Sequence, residues 1–419
     1  MPSKPSAERV DEAIAALDKV RKQWLRKPGV TAVDVGFKIS DNILTDTLAL
    51  RVHVAQKKDT AELASSEVFN DRSDPRTIDG FPVDVIEATY GPSQEAAIAL
   101  EDADVQAVSR RARTRPILGG ISVGNPRITA GTLGAIVYSR STCKAMILSN
   151  FHVLAGALAA TAGEPILQPG RADGGMSNDR VATLLRYRID AQMDAAVATI
   201  DGGVMFDREV LGLGTITGVA EPTLGMNVTK SGRTTGVTLG VIDGVSLTVS
   251  INYAADVGVV TLTNQVHIVP RPPWPAVDYE VSMGGDSGSV WLEDGTNRAV
   301  GLHFGGETDP MPASENALCT PISRVAAEFN ISFLPVLCPV LPPVLTFCQK
   351  YPRLCDLIRI YLQRHVLWPP VPPVPPGPGP DPGPFVRDQL NAPPQGVVPG
   401  QDVEAILTEL RALLAEGEA

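Results

Sequence analysis

Cysteine and positive charge are both scarce in this chain. Five of 419 residues are cysteine: Cys143, Cys319, Cys338, Cys348 and Cys355. An odd count at irregular spacing does not form a disulfide framework for a chain of this size, and the intervals are too wide for a CxxC metal knuckle. All five are read as buried or free thiols. Lys and Arg number 36 against 47 Asp and Glu, which leaves a net charge of −11. That balance argues against a nucleic-acid partner, because phosphate binding wants a surplus of cations. No apolar run reaches the roughly 18 residues of a membrane-crossing helix. The leading MPSKPSAERVDEAIAALDKVRKQW lacks the order of a secretory signal, so the cytoplasm is the expected compartment. No HExxH or paired Cys/His spacing appears, so neither a metal nor another cofactor is expected.

What is present is enough apolar residue for a real core, 44%. The length suits two or three domains. Residues 8–26 carry a helical stripe of Val10, Ala13, Ile14, Leu17, Val20 and Trp24. GVTAVDVGFKI (29–39) and TLALRVHVA (47–55) alternate as strands do, and FPVDVIEAT (81–89) is strand-like. A small α+β module over 8–92 is therefore expected, then a linker over 93–116 that contains the basic run RRARTR. A charged linker is also a place for a protease to cut.

From 117 to 334 short apolar runs alternate with Gly, Asn, Asp and Pro, the pattern of an all-β barrel or sandwich. An apolar, helical extension is expected over 335–368, bent near Pro352. The Pro/Gly-rich linker 369–400 opens on PPVPPVPPGPGPDPGP, in which ten of sixteen residues are Pro. Such a tract favours extended polyproline II. The amphipathic helix 401–417 closes the chain. It must bury its stripe on the chain itself or in a homo-oligomer.

The string MGGDSGSVW (283–291) is the most informative. A serine nucleophile needs inward-facing N–H groups and an approach clear of Cβ atoms. Gly285 and Ser287 can supply those N–H groups. A serine also needs a base. Of five histidines, His53 and His267 lie inside alternating strand patterns and His365 in the tail. His303 follows the nucleophile. His152, in AMILSNFHVLAGA, stands at the end of an apolar strand, where it can be held rigidly. The base needs a carboxylate to orient it. Asp194 opens DAAVATI, a strand that buries both faces; Asp190 and Asp201 are its rivals.

SNFHVLAG, DAAVATI and GDSGS, in the order His, Asp, Ser, resemble the signatures of the chymotrypsin-like, or trypsin-like, serine peptidases. KSGRTTGVTLGVI (230–242) resembles the segment that opens the second barrel in bacterial members. The resemblance covers 117–334. It implies a mainly β fold of two six-stranded antiparallel barrels, with His152 as base, Asp194 as orienter and Ser287 as nucleophile. It also implies an oxyanion hole from the Gly285 and Ser287 N–H groups. Ser289 replaces a frequent glycine, and His152 lacks the neighbouring half-cystine of secreted animal enzymes. Lys230 is expected to pair with Asp286, with Arg233 as rival, in place of a cleavage-made amine. Val281 stands at the pocket base and cannot neutralise a cation. His303 and Ser282 are expected in the pocket, which implies cleavage after Glu or Gln in a protein or peptide substrate.

The leading module also resembles bacterial trypsin-like proteins related to the plant narrow-leaf group. It is open as an inhibitory, assembling or docking segment. A catalytically silent scaffold of the same fold is the alternative function. An α/β-hydrolase is disfavoured, because GDSGS departs from the G-x-S-x-G elbow and no βαβ alternation is present.

Overall fold

The computed structural model describes residues 4–40, 43–58, 69, 77–92, 110–253, 256–272, 279–308 and 315–336. The chain divides into two units, Met1–Cys338 and Pro339–Ala419. The expected helical extension, Pro-rich linker, closing helix and His365 lie outside the described residues. So do Cys338, Cys348 and Cys355. No helix among the described residues is long and apolar enough to cross a membrane.

The fold is mainly β, with few helices. The first helix, Ala7–Trp24, is capped by the Ser6 hydroxyl, which accepts from the Arg9 N–H at 3.2 Å. Arg21 and Lys22 occupy its last turn, where cations are favourable. Its buried stripe of Ala13, Ala16, Leu17 and Trp24 packs on Val33, Val35, Leu50, Val52 and Phe81. These belong to the antiparallel hairpin Val30–Ser40 and Ile43–Val54 and to the parallel neighbour Phe81–Glu87. Strand alternation sends Asp34, Arg51 and His53 to the opposite face.

That opposite face is buried against the rest of the chain. Strand Val30–Ser40 pairs antiparallel with Gly236–Asn252, with Ala32 opposite Val249 and Gly36 opposite Gly244. Arg51 Nε donates to Asp34 Oδ1 at 2.7 Å, and Arg51 Nη1 donates to Asp243 Oδ2 at 2.5 Å. His267 Nδ1 meets Asp243 Oδ1 at 2.6 Å, and His53 Nε2 meets Asp34 Oδ1 at 3.2 Å. Burial lowers the His53 pKa, and Asp34 only partly offsets this. A neutral His53 that donates from Nε2 to Asp34 leaves Nδ1 to accept from the Tyr90 hydroxyl. Gly36 and Gly244 make room: a Cβ on Gly244 would stand 2.0 Å from Arg51 Nη2.

Two large sheets frame the remainder. One has six strands in the order Pro165–Leu167, Arg180–Ile189, Asp194–Ile200, Ala145–Ser149, Ala135–Ser139, Ile331–Ser332. In Asp194–Ile200, Ala195 and Val197 enter one core cluster and Ala196 and Ala198 the other, so both faces are buried. The other sheet has twelve strands. Within it, Asn227–Gly232, Val290–Glu293, Arg298–Glu307, Ala317–Pro321, Val259–Pro270 and Gly236–Asn252 are successive neighbours, and the last pairs back to the first. Of the two six-stranded barrels expected, the pairings thus close one ring of six strands within the larger sheet. The leading hairpin and its neighbours extend the second sheet. The pairings of the first sheet run from Pro165–Leu167 to Ile331–Ser332 without returning. Val290, Leu292 and Leu302 of the larger sheet share a core with Val137 and Leu148 of the smaller one.

Two cysteines depart from one another. Cys319 is buried and free, as expected. Cys143 is disulfide-bonded, which corrects the reading of every cysteine as a thiol. Disulfides are rare in a reducing cytoplasm, so this bond sits poorly with the expected compartment.

Candidate active site

His152 lies in the single turn Phe151–Leu154, which follows strand Ala145–Ser149 directly. That strand pairs with Asp194–Ile200, Ser149 opposite Ala196, so the histidine and Asp194 arrive at the same end of the sheet. His152 Nδ1 is hydrogen-bonded to Asp194 Oδ2, and the His152 N–H donates to Asp194 Oδ1 at 3.3 Å. The Asn150 side chain donates to the Asp194 carbonyl at 2.7 Å. Asp194 is fully buried. The rivals are engaged elsewhere: Asp190 pairs with Arg188 and Asp201 with Arg180, each at 2.7 Å.

Ser287 sits on the loop before Val290–Glu293. Its carbonyl accepts from the Thr132 N–H at 2.8 Å, and its hydroxyl donates to the Phe304 carbonyl at 3.4 Å. A Cβ on Gly131 would stand 2.5 Å from Val153, the residue after His152, and 3.1 Å from the Ser287 carbonyl. The Ser287 loop and the histidine turn thus close on one strand. His152 Nε2 is buried and makes no hydrogen bond among the described residues, so the Ser287–His152 hydrogen bond is not formed here. Such bonds often tighten only with substrate.

The Gly284–Gly285 peptide is clamped. Thr234 Oγ1 donates to the Gly284 carbonyl at 2.7 Å. In a trans peptide the Gly285 N–H then points the opposite way. Thr132 Oγ1 holds the Gly285 carbonyl at 2.8 Å. Gly285 has φ +96°, and a Cβ there would lie 2.5 Å from Thr234 Oγ1, so glycine is required.

Beneath the loop, Lys230 Nζ donates to Asp286 Oδ2 at 2.9 Å, with both side chains fully buried. Asp286 also accepts from Thr235 Oγ1 at 2.6 Å and from the N–H groups of Thr234, Thr235 and Met283. Burial alone would raise this carboxyl; Lys230 and Thr235 outweigh it and hold the pKa at about 2. Arg233 makes a two-pronged pair with Asp173 instead, at 2.6 Å on each arm. Thr132, Thr234 and Thr235 went unnoticed in the sequence. The double threonine in KSGRTTG was the one visible signal.

The residues expected to line the pocket are buried. Val281 and His303 are fully buried, and the Ser282 hydroxyl donates to the Asn316 carbonyl at 3.4 Å. His303 bonds through its backbone to Gly288 and Ser289, each at 2.9 Å, and its ring lies 6.2 Å from that of Trp291. Burial, aided by Lys230, pushes its pKa down to about 3. Glu280, Glu307 and Glu315 bring carboxylate oxygens within 4.8 Å of one another beside Val281. The Val281 N–H donates to Glu315 Oε2 at 3.3 Å. Burial, with Glu307 and Glu280 nearby, pushes the Glu315 carboxyl well above the usual range. Sequence reasoning missed this cluster because its members are far apart along the chain.

The chain is similar in structure to a glutamic-acid-specific serine protease, at 19% identity and TM-score 0.39, over 52% of this chain and 99% of that one. Thermobifida fusca protease A matches at 21% identity and TM-score 0.38, over 52% and 97%. Cellulomonas bogoriensis chymotrypsin matches at 16% and 0.38, over 52% and 99%. Its structural neighbours are bacterial, chymotrypsin-like serine proteases. No family model matches the chain, and no curated protein matches it.

Proposed function

We propose that the protein is a serine endopeptidase. The observation that carries this is the imidazole of His152. One nitrogen is committed to buried Asp194, and the other is buried without a partner beside the nucleophile loop. Asp194 fixes the tautomer in which Nε2 is the acceptor. That nitrogen takes the Ser287 proton as Oγ attacks the peptide carbonyl. The developing oxyanion is held by the Gly285 and Ser287 N–H groups. His152 then passes the proton to the leaving amine, and water repeats the sequence on the acyl-enzyme. Lys230 and Asp286 brace the loop from below, the part a cleavage-made amine would otherwise play.

For specificity, we assign Gln ahead of Glu before the cut bond. His303 is neutral at working pH and offers a hydrogen bond but no charge. The Glu280, Glu307 and Glu315 carboxyl groups crowded beside Val281 disfavour a further carboxylate there. Cleavage profiling with a peptide library tests this; cutting after Lys or Arg would overturn it.

A catalytically silent scaffold is the second reading, favoured by the unformed Ser287–His152 bond. A small fluorophosphonate separates the two. It labels the wild type and not Ser287→Ala if the peptidase reading is right, and labels neither if the scaffold reading is right.

A further inference from the structure

Strand Tyr90–Pro92 stands away from its own module. It pairs antiparallel with the end of Arg298–Glu307, Tyr90 opposite Glu307, Gly91 opposite Gly306 and Pro92 opposite Gly305. The other edge of that segment is already taken by Ala317–Pro321, with Gly305 opposite Leu318 and Gly306 opposite Ala317. Immediately before Gly305 come Phe304, whose carbonyl accepts the Ser287 hydroxyl, and His303, whose carbonyl accepts the Gly288 N–H. The free edge of Gly305–Glu307 is therefore the continuation of the edge on which the nucleophile rests. An extended peptide seeking Ser287 would add to that edge by strand pairing. Tyr90–Pro92 occupies it.

The direction matters too. In an antiparallel pair the chain from Tyr90 to Pro92 runs from Glu307 towards Gly305, hence towards Phe304 and Ser287. Residues on the amino side of a scissile bond must approach a nucleophile in that same sense. At about 3.3 Å per residue, Pro92 lies within roughly 7 Å, along the strand, of the position facing the Phe304 carbonyl.

We propose that Tyr90–Pro92 is a built-in competitor that holds the substrate edge until it is displaced. This rests on the peptidase reading above. The segment is tethered at its start: the Tyr90 hydroxyl meets His53 Nδ1 and, at 3.4 Å, His267 Nε2. The Thr308 N–H donates to the Thr89 carbonyl at 3.1 Å, and the two threonine hydroxyls meet at 2.6 Å. It lies close because its partners are glycines: a Cβ on Gly305 would stand 2.5 Å from the Gly91 carbonyl oxygen. The grip spans three residue pairs, and Pro92 has no N–H to give. A firm anchor with a short, donor-poor end suits a strap that peels away without unfolding its module.

The test wedges the strap off its edge. A Cβ on Gly91 would stand 2.7 Å from the Thr308 methyl. Gly91→Ala should loosen the pairing, and Thr308→Ser, which removes that methyl and keeps the hydroxyl, should restore it. Two reagents are used on the full chain: a small fluorophosphonate, which needs no strand edge, and a peptidyl phosphonate, which does. Losing one or two strap hydrogen bonds should speed peptidyl labelling about tenfold in Gly91→Ala, with the double variant back at the wild-type rate. Small-reagent labelling should not change. Equal peptidyl rates in wild type and Gly91→Ala would overturn the strap. If neither reagent labels any variant, the peptidase reading itself fails. Amide exchange supplies a second measurement: those Gly305–Glu307 amides that face Tyr90–Pro92 should be protected in the wild type and open in Gly91→Ala. Unchanged protection, with the variant folded, would equally overturn the proposal.

Discussion

Lys230→Met removes the ammonium that pairs with Asp286 and leaves the carboxylate fully buried. Breaking one side of a buried pair costs about 3–5 kcal/mol. Here four other donors stay: Thr234 N at 2.9 Å, Thr235 N at 3.1 Å, Thr235 Oγ1 at 2.6 Å and Met283 N at 3.1 Å. They place the expected loss at the low end, about 3 kcal/mol. The acid dependence has a definite sign. Asp286 is held at about 2, below its ordinary 3.8. The unfolded chain therefore binds its proton first as pH falls. The stabilisation is present above about pH 4 and is lost as pH falls through 2. In the variant the carboxyl rises, so the gap between the two proteins narrows in acid. Urea unfolding followed by tryptophan fluorescence at pH 7 and pH 4 measures both effects. Adding Asp286→Asn should recover part of the loss, because it removes the stranded charge. Because the loop carries Gly285, kcat should fall with KM little changed. A variant within about 0.5 kcal/mol of wild type, the range of an ordinary surface change, would refute the brace.

Three further outcomes are expected. Ser287→Ala and His152→Ala should each abolish peptide hydrolysis in a fluorogenic assay, and Asp194→Asn should lower kcat by about 10,000-fold through the wrong tautomer while the fold persists by circular dichroism. His303 is held at about 3 against an ordinary 6.5, so the unfolded chain takes this proton first. Unfolding free energy should thus fall as pH drops from 6.5 towards 3, by up to about 1.4 kcal/mol per pH unit from this group, and His303→Phe should flatten that slope in urea titrations. Gly288→Ala should fail to accumulate as folded protein: its φ is +94° and a Cβ would lie 1.9 Å from Ser149 Oγ. A soluble, active Gly288→Ala would contradict the packing described.

The catalytic candidates were legible because each sits in a local string whose chemistry is self-contained. A histidine that ends an apolar strand, a carboxylate that opens one and a serine between glycines are visible without knowing what they touch. The first helix and the leading strands were legible for the same reason, through periodicity. The alternation of GVTAVDVGFKI and TLALRVHVA reads as strand, but it does not say what the polar face of those strands meets. Nothing local says that Asp34, Arg51 and His53 face Asp243 and His267, about 190 and more positions away along the chain. A row of polar side chains on one strand face looks the same whether water or charged partners from distant strands meet it. The strap at Tyr90–Pro92 was invisible on the same ground, since three residues carry no period. Glu280, Glu307 and Glu315 were hidden by their separation.

Arg51 stands between Asp34 and Asp243, and all three side chains are fully buried. The cation belongs to the leading segment, whereas one of its two anions, Asp243, belongs to strand Gly236–Asn252. Cutting the polypeptide before Arg110 would not liberate a self-sufficient smaller unit. It would strip the counter-ion from Asp243, bare the edge of Gly236–Asn252, and leave a bereft remnant prone to precipitate. Residues 110–338 expressed alone should collect in the insoluble fraction, and co-expression of 1–92 should return them to solution. The N-terminal stretch is in this sense a keystone: whatever trimming the protein undergoes, that piece must remain in place.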